Sequence, residues 1–221
     1  MKYMIANWKM NMNFEDLTRW VGEFSQYKDS ITDNVEVILA PSLVHIPAIF
    51  ELSQKTSLKL SSQDISLEEK GAHTGETGGF QVKEFCTYAI VGHSERKEDK
   101  ETVIKKRDVC LKESITPIVC FTNPEHIKEY YKDGVIIAWE DPKNISKNGV
   151  YHAEKTDHIE EITKEIRKML PKGAILIYGG SVNEKNIEEI AKIDSLDGVL
   201  VGNASLDPKT FADIIVAYAD K

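Results

Sequence analysis

Two stretches decide the fold: Ala174-Ile175-Leu176-Ile177-Tyr178-Gly179-Gly180-Ser181-Val182 and, further on, Gly198-Val199-Leu200-Val201-Gly202-Asn203-Ala204-Ser205. Each opens on a short apolar run, Ala174 to Gly179 and Gly198 to Gly202, that ends in small residues and leads into a segment of helical character. Hydrophobicity this continuous, without in/out alternation, is what a parallel strand covered on both faces requires. Working outward, six more runs of the same kind precede them: Tyr3 to Asn7, Val35 to Ala40, Leu58 to Gln63, Tyr88 to Gly92, Thr116 to Phe121 and Val135 to Trp139.

The segments between the runs predict helices. Phe14, Leu17, Trp20, Val21, Phe24 and Tyr27 trace one helical face, with Asn13 placed to cap the first turn. Ile159, Ile162, Ile166 and Met169 do the same, supported by Glu160 four residues before Lys164 and stopped by Pro171-Lys172-Gly173. Asn183 to Ala191 and Asp207 to Ala217 supply the last two helices, and Pro124 to Tyr131 leaves room for only a short one. Eight strands alternating with helices in 221 residues predict an α/β chain folded as one (β/α)8 barrel domain over 1–221, slightly below the typical ~250 residues. A doubly wound open sheet is disfavoured because no Gly-rich GxGxxG turn follows the first strand.

Composition narrows the function. With 41% hydrophobic and 29% charged residues the chain is globular, and a net charge of −8 argues against a nucleic-acid binder. The apolar runs are far too short to cross a bilayer and the first residues lack a signal-peptide pattern, so a soluble, cytoplasmic protein without a membrane partner is expected. Cys86, Cys110 and Cys120 are odd in number and lack CxxC spacing, which predicts reduced thiols. His45, His73, His126, His152 and His158 are scattered and HExxH is absent, so no metal site is expected.

In such a barrel, chemistry sits at the C-terminal ends of the strands. Strand one ends in Asn7-Trp8-Lys9, strand four in Gly92-His93-Ser94-Glu95-Arg96, and strand six in Trp139-Glu140-Asp141-Pro142. Taken singly, Lys9 reads as a solvated charge, His93 as part of a capped helix start and Glu140 as a loop-start carboxylate. Gly179-Gly180-Ser181 and Gly202-Asn203 read either as tight-turn glycines or as backbone that approaches an anion. Taken together, a carboxylate base, a neutral imidazole donor, an ammonium and an anion cradle on one rim predict proton abstraction beside the carbonyl of a small phosphorylated compound.

These motifs, in this order and over essentially the whole chain, resemble the triosephosphate isomerase family. The resemblance implies a TIM barrel that interconverts dihydroxyacetone phosphate and glyceraldehyde 3-phosphate through an enediolate, without cofactor, in glycolysis and gluconeogenesis. It implies Glu140 as base, His93 as electrophile, Lys9 and Asn7 as substrate contacts, and Glu95 as the anchor of Lys9. Ser181, Gly202 and Asn203 would face the phosphate, Gly179 would shape the same loop, and Ile145 and Ser146 would belong to the lid over the substrate. Gly71-Ala72-His73-Thr74-Gly75-Glu76 is similar to the loop that reaches a neighbouring subunit, where Thr74 would approach the partner's site and Glu76 would pair with Arg96 across the interface. A homodimer is the minimum assembly implied.

The chain departs from the family at the lid, Glu140-Asp141-Pro142-Lys143-Asn144-Ile145-Ser146-Lys147-Asn148-Gly149, where Pro142 comes one position late and Ser146-Lys147-Asn148 replaces the usual second hinge. Asn203 replaces a second glycine, and the short span from Cys120 to Glu140 resembles compact archaeal members, several of them homotetramers. Rival readings are a barrel isomerase for another small phosphorylated aldose or ketose, and a catalytically weak relative that binds phosphosugars.

Overall fold

The computed structural model describes residues 1–54, 56–142 and 156–219. Eight parallel strands close into a barrel: β1 (Lys2–Asn7), β2 (Val35–Ala40), β3 (Lys59–Ser62), β4 (Tyr88–Val91), β5 (Thr116–Phe121), β6 (Ile136–Trp139), β7 (Ile175–Tyr178) and β8 (Gly198–Val201), with β8 pairing back onto β1. The helices are α1 (Phe14–Phe24), α2 (Ile46–Ser53), α3 (Gly79–Val82), α4 (Lys100–Lys112), α5 (Ile127–Tyr130), α6 (Thr156–Met169), α7 (Ile187–Ala191) and α8 (Pro208–Ala219).

The strands look uniformly apolar in sequence because alternate residues serve two different cores. Ile5, Ile38, Ile90, Ile118, Ile136, Ala138, Ile177 and Leu200 fill the barrel interior. Their neighbours Met4, Ala6, Leu39, Val91, Val119, Ile137, Leu176 and Val199 pack outward against the helices. This period-two alternation aims the rim residues. Asn7 continues the inward series of Ile5, Glu140 that of Ile136 and Ala138, Gly179 that of Ile177, and Gly202 that of Leu200.

Helix α1 opens with a reciprocal cap: the Asn13 side chain accepts from the Asp16 N–H at 3.0 Å while the Asn13 N–H donates to the Asp16 carboxylate. Its apolar face is narrower than the sequence suggests. Phe14 is 60% exposed, and Tyr27 lies beyond the helix in a 3₁₀ segment, Ser25–Ser30. Glu160 and Lys164 pair at 2.6 Å on α6. α7 starts at Ile187, later than the expected Asn183. The side chain of Asn186 accepts from the Asn183 N–H at 2.9 Å and donates to the Ser181 carbonyl at 2.7 Å, which holds the preceding residues in a turn.

The three cysteines are free and buried. Burial pushes the Cys86 and Cys110 thiols up to about 12, and desolvation together with the Glu140 charge drives Cys120 well above its ordinary value. They are packing groups, not nucleophiles. Among the described residues no helix is long and apolar enough to cross a membrane.

Two glycine substitutions are expected to have opposite signs. Gly92 has φ +73°, and a Cβ there would stand 2.8 Å from both the Cys120 carbonyl and Val103, so Gly92→Ala should destabilise the fold by about 2–4 kcal/mol. Gly22, on the exposed face of α1 with nothing within 4 Å of a new Cβ, should gain about 0.5–1 kcal/mol as Ala. Urea denaturation of both variants measures the two shifts.

Candidate active site

The strand ends bring Glu140, His93, Lys9, Asn7 and Glu95 to one rim of the barrel. Glu140 follows β6, and its N–H donates to the Phe121 carbonyl at 2.9 Å, extending the β5–β6 ladder by one residue. The residue is buried, with 2% of its surface exposed. A buried charge requires donors, and Ser94 supplies two: its hydroxyl to Oε1 at 2.8 Å and its backbone N–H to Oε2 at 2.9 Å. The His93 Nε2 lies 3.3 Å from Oε1. Gly179 makes room for this arrangement, since a Cβ there would stand 3.2 Å from the Glu140 Cγ.

His93 stands at a capped start, as one reading of the sequence has it, but of a short turn and not of α4. After Gly92 turns the chain through a positive φ, Ser94–Arg96 form a single 3₁₀ turn, and α4 begins only at Lys100 under an Asp99 cap. That turn fixes the imidazole. The Glu95 N–H donates to Nδ1 at 3.3 Å, so the Nδ1 lone pair is engaged and the ring hydrogen is assigned to Nε2, facing Glu140. The Glu95 carboxylate is 3.8 Å from the same Nδ1 and has a nearer partner in Lys9.

Lys9 has φ +51°, the left-handed region that lysine seldom adopts. Neighbours hold it there. Asn7 Oδ1 accepts from the Lys9 N–H at 3.1 Å, and the Lys9 carbonyl accepts from the Ser42 hydroxyl at 3.1 Å and from Gln63 Nε2 at 2.9 Å. Gln63 also donates to the Ala40 carbonyl at 2.9 Å, tying the ends of β1, β2 and β3 together. The ammonium reaches Glu95 Oε1 at 2.7 Å, and the Lys9 side chain passes the Cα of Gly202 at the end of β8. Asn203 begins the 3₁₀ turn Asn203–Ser205, and the loop at Ser181 is braced by Asn186. Ile145 and Ser146 lie outside the described residues.

A charge network supports the turn that carries His93. Lys106, buried on α4, contacts Asp64 and Glu98 at 2.6 Å each, and Arg96 contacts the same two carboxylates at 2.7 and 3.2 Å. Burial opposes ionisation of Glu98, but its hydrogen bonds and charge contacts with Lys106 and Arg96 outweigh it and hold the carboxyl below its ordinary value. Arg96 is thus paired within its own chain. Thr74 and Glu76 are exposed beside a cleft of about 440 Å³ lined in part by Met10, Leu43, Gly75, Glu76 and Arg96.

Sequence reasoning missed Ser94 as the holder of Glu140, Gln63 and Ser42 as holders of Lys9, and the burial of Asp141. Ser94 stood inside a recognised motif. Gln63 stood at a strand end, where a polar residue marks the rim; nothing in the sequence signalled Ser42 or Asp141.

The family model described as triosephosphate isomerase matches residues 2–218. A triosephosphate isomerase of Thermodesulfovibrio yellowstonii is 32% identical over 97% of this chain and 98% of its own. One from Mycobacterium sp. (strain JLS) is 33% identical over 96% and 95%, and one from Aquifex aeolicus is 29% identical over 98% and 99%. With the family model matching residues 2–218 and two of these relatives more than 30% identical over almost the whole chain, the chain belongs to the triosephosphate isomerase family.

Proposed function

We propose that this protein interconverts dihydroxyacetone phosphate and D-glyceraldehyde 3-phosphate, as a cofactor-independent aldose–ketose isomerase. The observation that carries the reading is the buried Glu140 carboxylate 3.3 Å from the Nε2 of an imidazole whose Nδ1 is engaged by a backbone N–H. A base and a neutral donor this close serve a reaction in which one proton leaves carbon while another moves between neighbouring oxygens.

The substrate's carbonyl and hydroxyl carbons lie between Glu140, His93 and Lys9. Glu140 leaves Ser94, which now engages both its oxygens, and takes the proton from the carbon next to the carbonyl. His93 Nε2–H polarises that carbonyl and delivers hydrogen to the developing enediolate oxygen. The enediolate then collapses the other way: Glu140 returns its proton to the adjacent carbon, and the neighbouring hydroxyl gives its hydrogen back through His93. The Lys9 ammonium offsets negative charge on the enediolate, and Asn7 keeps the Lys9 turn in place. Gly202, Asn203 and Ser181 present backbone to the phosphate, with Gly179 leaving space for Glu140.

The assembly is a homodimer, extended to a homotetramer if the shortened α5 face is covered by further copies. Met10 and Leu43, 94% and 49% exposed, line the cleft, and with Val44, 80% exposed and next to Leu43 in the chain, they are the apolar surface that a partner's 71–76 loop would bury. Thr74 then approaches the partner's Lys9, and Glu76 competes for the partner's Arg96.

Glu140→Asp should fold normally and lose about a hundredfold in kcat, because retracting the base by about an ångström spoils its approach to carbon. His93→Gln should lose a comparable factor, of order a hundredfold. A coupled assay with glyceraldehyde 3-phosphate measures both; phosphosugar binding without turnover in the wild type would instead give the receptor reading. Light scattering should return at least a dimer mass at micromolar concentration, and Thr74→Arg should shift it to monomers with loss of turnover.

A further inference from the structure

Asp141 is the second of two consecutive, almost fully buried carboxylates, Glu140 and Asp141 both being 2% exposed. Burying two adjacent anions is costly unless each has compensating partners. Glu140 has Ser94 and His93. For Asp141 the structure shows His158 on the far side of the segment that joins β6 to α6, with Nε2 3.7 Å from Asp141 Oδ2. The contact is longer than a hydrogen bond, and it is an ion pair when the imidazole is protonated. His158 lies in the first turn of α6, and helical side chains lean toward the N-terminus, so its ring meets Asp141 at the end of the helix where backbone dipoles favour a negative charge.

α6 is a firm anchor. Ile159 and Ile166 are buried against the barrel, and the buried Thr163 hydroxyl bonds both the Ile159 carbonyl at 2.7 Å and the Ser195 hydroxyl at 2.7 Å. On its upstream side, the Glu140 backbone is fixed by its N–H to Phe121 and by the Gly179 N–H to the Trp139 carbonyl at 2.8 Å. We propose that Asp141 and His158 fix it on the downstream side, as a positioning pair that ties the backbone of the catalytic base to α6. The pair touches neither substrate nor reacting atoms, and it acts through Glu140, whose Cα is about 3.8 Å from that of Asp141. The inference rests on the isomerase reading, in which Glu140 must reach one carbon with sub-ångström accuracy.

The test is steady-state kinetics and thermal melting of wild type, Glu140→Gln, Asp141→Asn, His158→Gln and the Asp141→Asn/His158→Gln double variant. Wild-type turnover that vanishes in Glu140→Gln is measured first, and its absence would count against the isomerase reading, not the pair. Given that turnover, each single variant should lower kcat by about tenfold with KM within about twofold and with a near-native melting temperature. The double variant should be no slower than Asp141→Asn alone, because the two residues act as one unit. His158 is partly exposed, so His158→Gln tests the pair even if Asp141→Asn fails to fold. An unchanged kcat in His158→Gln, a loss confined to KM, or a double variant slowed by the product of the two single losses would overturn the pairing.

Discussion

A carboxylate sealed from water at the end of β6 is the constraint around which this barrel is arranged. Glu140 faces inward because the strand alternation that puts Ile136 and Ala138 in the interior core leaves the next inward position to it. Once there, its charge needs donors, and these come from the turn after β4. That turn exists because Gly92 takes a positive φ where any side chain would strike the Cys120 carbonyl. Satisfying one buried charge therefore also brings the imidazole beside it.

The same economy holds around Lys9. A left-handed lysine costs about 1–2 kcal/mol in backbone energy, and three side chains, Asn7, Ser42 and Gln63, offset it with hydrogen bonds to the Lys9 N–H and carbonyl. Because Gln63 also grips the Ala40 carbonyl, the ammonium's origin is fixed relative to three strands at once. The Lys106 network does the equivalent for the turn that carries His93, joining Asp64 at the exit of β3 to Glu98 and Arg96 just ahead of α4. Strained and buried polar groups at this rim are held by neighbours on rigid elements, which is how a site keeps its geometry before substrate arrives.

Much of this was legible in the sequence. The strand runs coincide with the observed strands to within a residue or so at each end, because fully buried parallel strands leave an unmistakable apolar record. The boundaries that differ have local polar causes. Asn186 spends its side chain on the Ser181 loop and delays α7, and the capped start at His93 opens a 3₁₀ turn and not α4. Lys9, Glu95, His93 and Glu140 were legible as polar residues at strand ends. Ser94, Ser42 and Gln63 were not, since their roles arise from distances between segments far apart in the chain. The burial of Asp141 was hidden for the same reason: a carboxylate in an exit loop reads as solvated until α6 is seen to bring His158 to it.

The proposed role of Glu140, carrying a proton between two carbons of a triose phosphate, is read from the isomerisation of dihydroxyacetone phosphate run in deuterium oxide, with the product followed by proton nuclear magnetic resonance. A base that exchanges its proton with solvent during the enediolate's lifetime predicts glyceraldehyde 3-phosphate deuterated at C2, formed by the wild type and not by Glu140→Gln. An undiminished rate, or equal labelling, with Glu140→Gln would contradict that role of Glu140.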